Sequence, residues 1–255
     1  MQQLIRHPII LFVVVFALMS AAGWIGNVVL RPRMPIADDS RDDFKLVQSA
    51  TLTLLALVIG FSLSMAVGRY DQRKNYEEEE ANAIGTEFLR ADLLPTAQAT
   101  AVRSLLSHYL ALRLEYYQTR DLQRVERIDA ATAELQGRLW IAARDGATAQ
   151  ASPITALAVA GMNDVINAQG YTQAAWWNRI PVAAWILMIT IGVFSNVLVG
   201  YGAENTKGKS RLLFIMPITV SLSFMLIADI DSPRNGVIRV VPQNLISLAQ
   251  SLPKP

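Results

Sequence analysis

The chain of 255 residues contains no cysteine and only two histidines, His7 and His108. The absence of cysteine excludes disulfides and any zinc or iron–sulfur site built on thiolates. No motif brings together a nucleophile, a base and an orienting residue, and no glycine-rich phosphate loop follows a strand pattern. The sequence therefore indicates a protein that is not an enzyme, with no catalytic residues to assign.

Excess charge of either sign is also absent, because 23 Lys and Arg nearly balance 21 Asp and Glu. No stripe of basic residues with interleaved aromatics is present, so we expect no nucleic-acid partner. The basic residues instead cluster beside long apolar runs, where they are typical of lipid head-group anchors. With both termini on one side of a membrane, the basic residues divide equally between its two sides, so charge does not decide the orientation.

Long apolar runs are what the sequence has in abundance. Residues 47–68 contain no Asp, Glu, Lys, Arg or His, and their length matches the roughly 20 residues needed to cross a hydrocarbon core as a helix. We expect an all-α membrane protein with four transmembrane helices, at residues 9–30, 47–68, 180–201 and 212–230. The first run is longer than the core of a typical signal peptide, so we expect it to be retained.

The region between the second and third spans, residues 69–178, has the composition of a soluble helical domain, and residues 231–255 are expected to form a C-terminal tail. Neither Pro nor Gly interrupts residues 69–84, so the second span is predicted to continue as one helix towards Pro95. Three further helices should follow: one that begins at Thr96, one that contains residues 122–139 and ends near Asp145-Gly146, and one that begins at Ser152-Pro153. The sequence thus predicts a long pore or lever helix coupled to a soluble domain.

One face of the second span carries Leu57, Phe61 and Met65, which are four residues apart. Such a stripe normally faces lipid or a neighbouring helix, but repeated around an axis it would form a hydrophobic constriction that gates by dewetting. Small residues in the same span would allow close helix packing; they are Gly60, Ser64 and Gly68. Spacing alone does not choose between lining and packing.

Two groups of carboxylates could interact with ions. In the run Glu77-Glu78-Glu79-Glu80, the side chains point in all directions around a helix. The run either forms a solvated helix face or, in a symmetric oligomer, contributes a ring of carboxylates near a pore entrance. Glu77 and Glu80 are the candidates for such a vestibule. Asp229 and Asp231 could hold calcium or another hard cation through oxygen atoms, or could lie at a capped helix end followed by a turn.

Several motifs resemble the bestrophin-like family of bacterial membrane proteins, which is distantly similar to the bestrophin anion channels. The motifs are Gly60-Phe61-Ser62, Arg69-Tyr70-Asp71, Glu80-Ala81-Asn82-Ala83-Ile84-Gly85-Thr86, Leu89-Arg90-Ala91-Asp92-Leu93-Leu94-Pro95 and Asp229-Ile230-Asp231-Ser232-Pro233. The resemblance implies a bestrophin-like fold and a pentamer in the bacterial inner membrane, with both termini and the middle domain in the cytoplasm. It also implies a pore lined by the second span, with its neck at Leu57, Phe61 and Met65.

The chain departs from the family pattern at two of these sites. Phe61 is the single aromatic residue of the candidate neck, and Asp229 and Asp231 form a smaller acidic cluster than the calcium clasp of bestrophins. The expected function is an oligomeric ion channel of undetermined selectivity, with the lipid bilayer, further copies of the chain and permeant ions as partners. The alternative is a membrane-anchored regulatory or interaction protein that conducts no ions.

Overall fold

The computed structural model describes residues 7–203 and 211–253, and these ranges are helical with no strand. A π-helical segment, Ile25–Leu30, continues the first helix, and a 3₁₀ turn, Ala91–Leu93, closes the second. Residues 254–255 of the expected tail lie outside the described residues. The eight helices that the described ranges contain, leaving aside single turns, are α1 (Pro8–Trp24), α2 (Arg41–Arg90), α3 (Thr96–Gln118), α4 (Leu122–Ala149), α5 (Thr155–Trp177), α6 (Val182–Gly202), α7 (Ile215–Asp231) and α8 (Gln243–Ser251).

The chain divides into two compact units, and α2 contributes to both. Unit 1 comprises Met1–Arg69 and Arg179–Arg239, and unit 2 comprises Tyr70–Asn178 and Val240–Pro255. Helix α2 is 50 residues long, or about 75 Å at 1.5 Å per residue. The absence of a breaker therefore has the predicted consequence: one continuous helix carries the chain out of the apolar stretch.

Among the described residues, three helical stretches are long and apolar enough to cross a membrane: Pro8–Arg33, Arg41–Leu93 and Thr155–Gly202. The fourth expected span corresponds to α7, which has 17 residues and is not among those three. The third stretch contains α5 as well as α6, with the chain leaving the helix between Trp177 and Val182. The all-helical class is thus confirmed, and the number of crossings stays a prediction.

Helix α1 and its π-helical extension pack against α6 and α7 in unit 1. Small residues make this contact close, because a Cβ atom on Gly200 would lie 2.0 Å from the Gly23 carbonyl oxygen and one on Gly26 would lie 2.2 Å from the Val197 carbonyl oxygen. Backbones that approach this closely leave no room for a side chain. The tight helix crossing therefore uses glycines of the first and third predicted spans.

Unit 2 is a bundle in which α4 packs against α3 and α5, and α8 packs against α3. The Asp121 side chain accepts from the Gln123 N–H at the start of α4, and Ser152 and Thr155 bond to each other's backbone N–H groups before α5. The sequence predicted that α4 ends near Gly146, but the helix continues to Ala149. Gly146 packs against the Leu94 side chain, so this glycine serves a close contact and does not end the helix. Local caps explain the helix starts better than the helix ends.

Candidate pore helix and its buried polar seam

The three residues predicted to form a neck share an exposed face of α2 in unit 1. The exposed fractions are 51% for Leu57, 65% for Phe61 and 43% for Met65. Apolar side chains in this position need a cover of lipid, of another copy of the chain, or of the dry wall of a constriction. The three residues therefore lie together, as their spacing predicts, on a face that one copy of the chain leaves uncovered.

The small residues predicted for helix packing lie on the same side of α2. A Cβ atom on Gly60 or Gly68 would meet no atom of the described chain within 4 Å, and Ser64 is exposed. They therefore make no close helix contact within one copy, unlike Gly26 and Gly200. The remaining packing role for these three residues is against a second copy of the chain.

The part of α2 in unit 2, together with the turn that follows it, has a buried face that is unusually polar, which we call the buried seam. Its members recur every three or four residues, as a helix face requires: Arg73, Glu77, Glu80, Ile84, Glu87, Ala91 and Leu94. Four of these seven side chains carry ionisable groups, and all four are at most 1% exposed. Buried ionisable groups need specific partners or a change of protonation.

Glu80 lies at the centre of a hydrogen-bonded cluster inside unit 2. Arg113 Nε donates to Glu80 Oε1, and Glu80 Oε2 accepts from Thr172 Oγ1 at 3.0 Å, Tyr117 Oη at 3.3 Å and Arg113 Nη2 at 3.5 Å. The Arg113 guanidinium also lies 4.4 Å from the centroid of the Tyr116 ring. Neither Glu80 nor Arg113 is exposed, so Glu80 does not face water as a vestibule carboxylate must.

The electrostatics of this cluster favour one protonation state. Burial, and next the nearby Glu80, raise the pKa of Tyr117 above its usual range, so its hydroxyl stays a hydrogen-bond donor. Burial alone would lower the pKa of Arg113, but Glu80 and the neighbouring tyrosines raise it further than burial lowers it. The cluster is therefore a charged pair surrounded by neutral donors, an arrangement that fixes α2 to α3 and α5.

Glu77 also faces inward, where it holds the start of α8. Its Oε1 accepts from the Leu245 N–H at 2.9 Å and its Oε2 from Asn244 Nδ2 at 2.7 Å. A carboxylate at a helix N-terminus satisfies a free backbone N–H and interacts favourably with the helix dipole. In this structure Glu77 is thus a cap for the C-terminal helix α8. Within the run Glu77-Glu78-Glu79-Glu80, only Glu78 and Glu79 are exposed.

Asp229 and Asp231 organise the turn that follows α7. The two Asp229 oxygens accept from the N–H groups of Val237 and Ile238, each at 2.8 Å, and both Asp231 oxygens accept from the Ile180 N–H at 3.2 Å. Arg69 Nη1 lies 3.5 Å from Asp231 Oδ1. The described ranges contain no group of three or more His, Cys, Asp or Glu that could hold a metal ion. These bonds agree with the second alternative left open by the sequence, a capped helix end followed by a turn, and a cation site at the two carboxylates stays a prediction.

Comparisons with known proteins agree with the resemblance seen in the motifs. A family model described as Bestrophin-like domain matches residues 14–245. The crystal structure of a bacterial Bestrophin homolog from Klebsiella pneumoniae matches with a TM-score of 0.64 at 16% identity, covering 94% of this chain and 99% of that one. A single-substitution variant of the Klebsiella homolog gives a TM-score of 0.66 at 13% identity, covering 94% and 97%. No curated protein matches the chain.

Proposed function

The chain belongs to the bestrophin-like family, and we propose on this premise that it assembles into an ion channel with a pore lined by α2. The supporting observation is the exposed face of α2, on which Leu57, Phe61 and Met65 are left uncovered within one copy. Arranged around a symmetry axis, three apolar side chains per subunit form a hydrophobic neck whose wetting controls conduction. The proposal gives the protein no catalytic role.

A pore of this kind requires several copies of the chain. One copy offers only four candidate crossings, too few to enclose a water-filled path. A Cβ atom on Gly60 or Gly68 would meet no atom of its own copy within 4 Å, and Ser64 is exposed. Close packing of helices in lipid relies on such residues. We propose that they contact the neighbouring subunit, in a closed ring for which the family resemblance implies five copies.

The proposed topology has four crossings, with both termini and unit 2 in the cytoplasm of a bacterial cell. Helix α7, with 17 residues, rises about 26 Å, which a bilayer core of about 30 Å accommodates with a small local thinning. The apolar part of α2 then crosses the membrane once and its remainder enters the cytoplasm. Unit 2 contains residues 70–178 of the expected domain, which was predicted at residues 69–178. Unit 2 also contains α8.

Reconstitution into proteoliposomes tests the proposal. Phe61→Ala removes the largest side chain of the neck and should raise ion flux severalfold. The matched control is Phe194→Ala, since Phe194 is 60% exposed on α6 and outside the proposed pore; this change should leave flux unaltered. Because the chain has no cysteine, Phe61→Cys and Phe194→Cys can also be compared for block by a water-soluble thiol reagent.

Two outcomes would contradict the channel. The first is a clean monomer in mild detergent and in native membranes, because one copy encloses no path. The second is an assembled protein that gives no ion flux at any voltage and calcium concentration, with thiol reagents reaching Phe61→Cys and Phe194→Cys equally. That second result would favour the regulatory or interaction protein that the sequence left as an alternative.

A further inference from the structure

Glu87 is a buried carboxyl of the seam that has no part in the channel proposal. It is 0% exposed, and neither carboxylate oxygen has a hydrogen-bond partner within the described residues. Glu77 and Glu80, by contrast, have partners for both of their oxygens. A buried charge without a partner is strongly unfavourable, so a carboxyl in this position takes up a proton.

A glycine on the facing helix makes room for this carboxyl. A Cβ atom added to Gly161 of α5 would lie 2.0 Å from Glu87 Oε2 and 2.5 Å from Arg90 Nη1. The Glu87 side chain therefore occupies the volume that any other residue at position 161 would fill. Glu87 and Gly161 form a close contact between α2 and α5 that depends on both residues.

The charged side chains near Glu87 pair with one another. Arg90, on its own helix, lies 3.6 Å from Asp164 of α5, while Arg103 of α3 pairs with Asp92 of the 3₁₀ turn. Arg90 thus shares its charge between the exposed Asp164 and the buried Glu87. Burial, offset in part by Arg90 and increased by Asp164, raises the pKa of Glu87 from 4.5 to about 8.

We propose that Glu87 is a proton-binding site that controls the contact between α2 and α5. With the proton bound, the neutral carboxyl packs against Gly161 and Arg90 remains with Asp164. When the proton leaves to water, the carboxylate attracts Arg90, the contact of Arg90 with Asp164 breaks, and the carboxylate withdraws from Gly161 towards water. The α2–α5 contact is thereby tight at low pH and loosened at high pH.

The direction of the pH effect follows from linkage. Between pH 4.5 and about pH 8, folded Glu87 retains a proton that the unfolded chain has released. The folded state binds more protons in this window, so its stability falls as the pH rises. The protonated contact between Glu87 and Gly161 therefore predominates below about pH 8 and is lost above it.

The test uses the purified full-length chain and needs no ion flux, so it is independent of the channel proposal. Infrared difference spectra between about pH 6 and about pH 9 should lose a protonated carboxyl band in the unmodified protein and show no such loss in Glu87→Gln. Spin labels at Leu89→Cys on α2 and Ala160→Cys on α5, two exposed positions, should report a distance change with the same midpoint. Glu87→Gln, which mimics the protonated form, should hold the low-pH distance throughout.

Two further variants keep the proposal refutable. Asp164→Asn removes a charge that raises the proton affinity of Glu87 and should move both midpoints to lower pH, whereas Glu79→Gln, at an exposed position, should leave them unchanged. The same pH-dependent loss of a protonated carboxyl band in Glu87→Gln would overturn the proposed site. A label distance that is constant over the whole pH range in the unmodified protein would overturn the proposed movement.

Discussion

Replacing Glu80 by Gln tests the interpretation of the buried seam, because it removes one charge and almost no volume. Arg113 would then keep its charge at 0% exposure, with the Tyr116 ring and one amide oxygen as its remaining partners. Removing one partner of a buried ion pair costs about 3–5 kcal/mol. We expect the lower end, about 3 kcal/mol, because the amide oxygen still accepts one bond and the Thr172 hydroxyl can reorient.

The measurement is thermal unfolding in detergent at a fixed heating rate, followed by circular dichroism of the helices. A loss of about 3 kcal/mol lowers the midpoint by about 6–12 °C in a chain of this size. Glu79→Gln is the matched control, since it makes the same chemical change at an exposed position of the same helix. Its midpoint should stay within about 2 °C of the parent.

A second substitution separates the charge effect from other effects. In the double variant Glu80→Gln with Arg113→Met the buried cation is gone, and the midpoint should recover most of the loss. A single variant that unfolds at the same temperature as the Glu79→Gln control would refute the reasoning. The single variant Arg113→Met completes the comparison. A double variant that loses the sum of the two single effects would also refute the reasoning, because the two side chains would then not interact.

The remaining predictions concern helix packing and the C-terminal helix. Gly200→Ala should lower the unfolding midpoint strongly, because its Cβ atom would lie 2.0 Å from the Gly23 carbonyl oxygen; Gly60→Ala, which meets nothing within one copy, should leave the monomer's stability unchanged. Glu77→Gln should increase hydrogen exchange in residues 243–251, because the Leu245 N–H loses its charged acceptor; equal exchange in the parent and the variant would contradict the cap.

Much of the fold followed from patterns that one segment reveals by itself. The uncharged residues 47–68 and the missing breakers in residues 69–84 predicted one long helix, and α2 is that helix. Ser152-Pro153 likewise indicated the start of α5, whereas the end predicted at Asp145-Gly146 lies inside α4. The bestrophin-like motifs predicted the family that the domain match confirms. Such features depend on local sequence, so no knowledge of distant contacts was needed.

The buried seam could not be predicted in the same way, because its partners lie far away in sequence. Glu80 meets Arg113 and Thr172, which are 33 and 92 residues further along the chain. Four consecutive glutamates point around the whole helix, and the sequence does not reveal which of them turn inward. One signal was available: Arg113 falls on the apolar stripe of α3 between Tyr109 and Tyr116, and a lone cation on a buried face requires a buried anion.

Helix α2 has two kinds of surface along its length. Around Phe61 its exposed face is apolar, whereas around Glu80 its buried face is ionic, the reverse of an ordinary soluble helix. Burying charges adds little net stability compared with apolar packing, but a paired charge tolerates few alternative positions. In the proposed channel α2 must keep one rotation about its axis, because a turn of 100° would exchange Phe61 for a neighbour in the proposed neck. The Glu80–Arg113 pair, which fixes α2 against α3, is suited to holding that rotation.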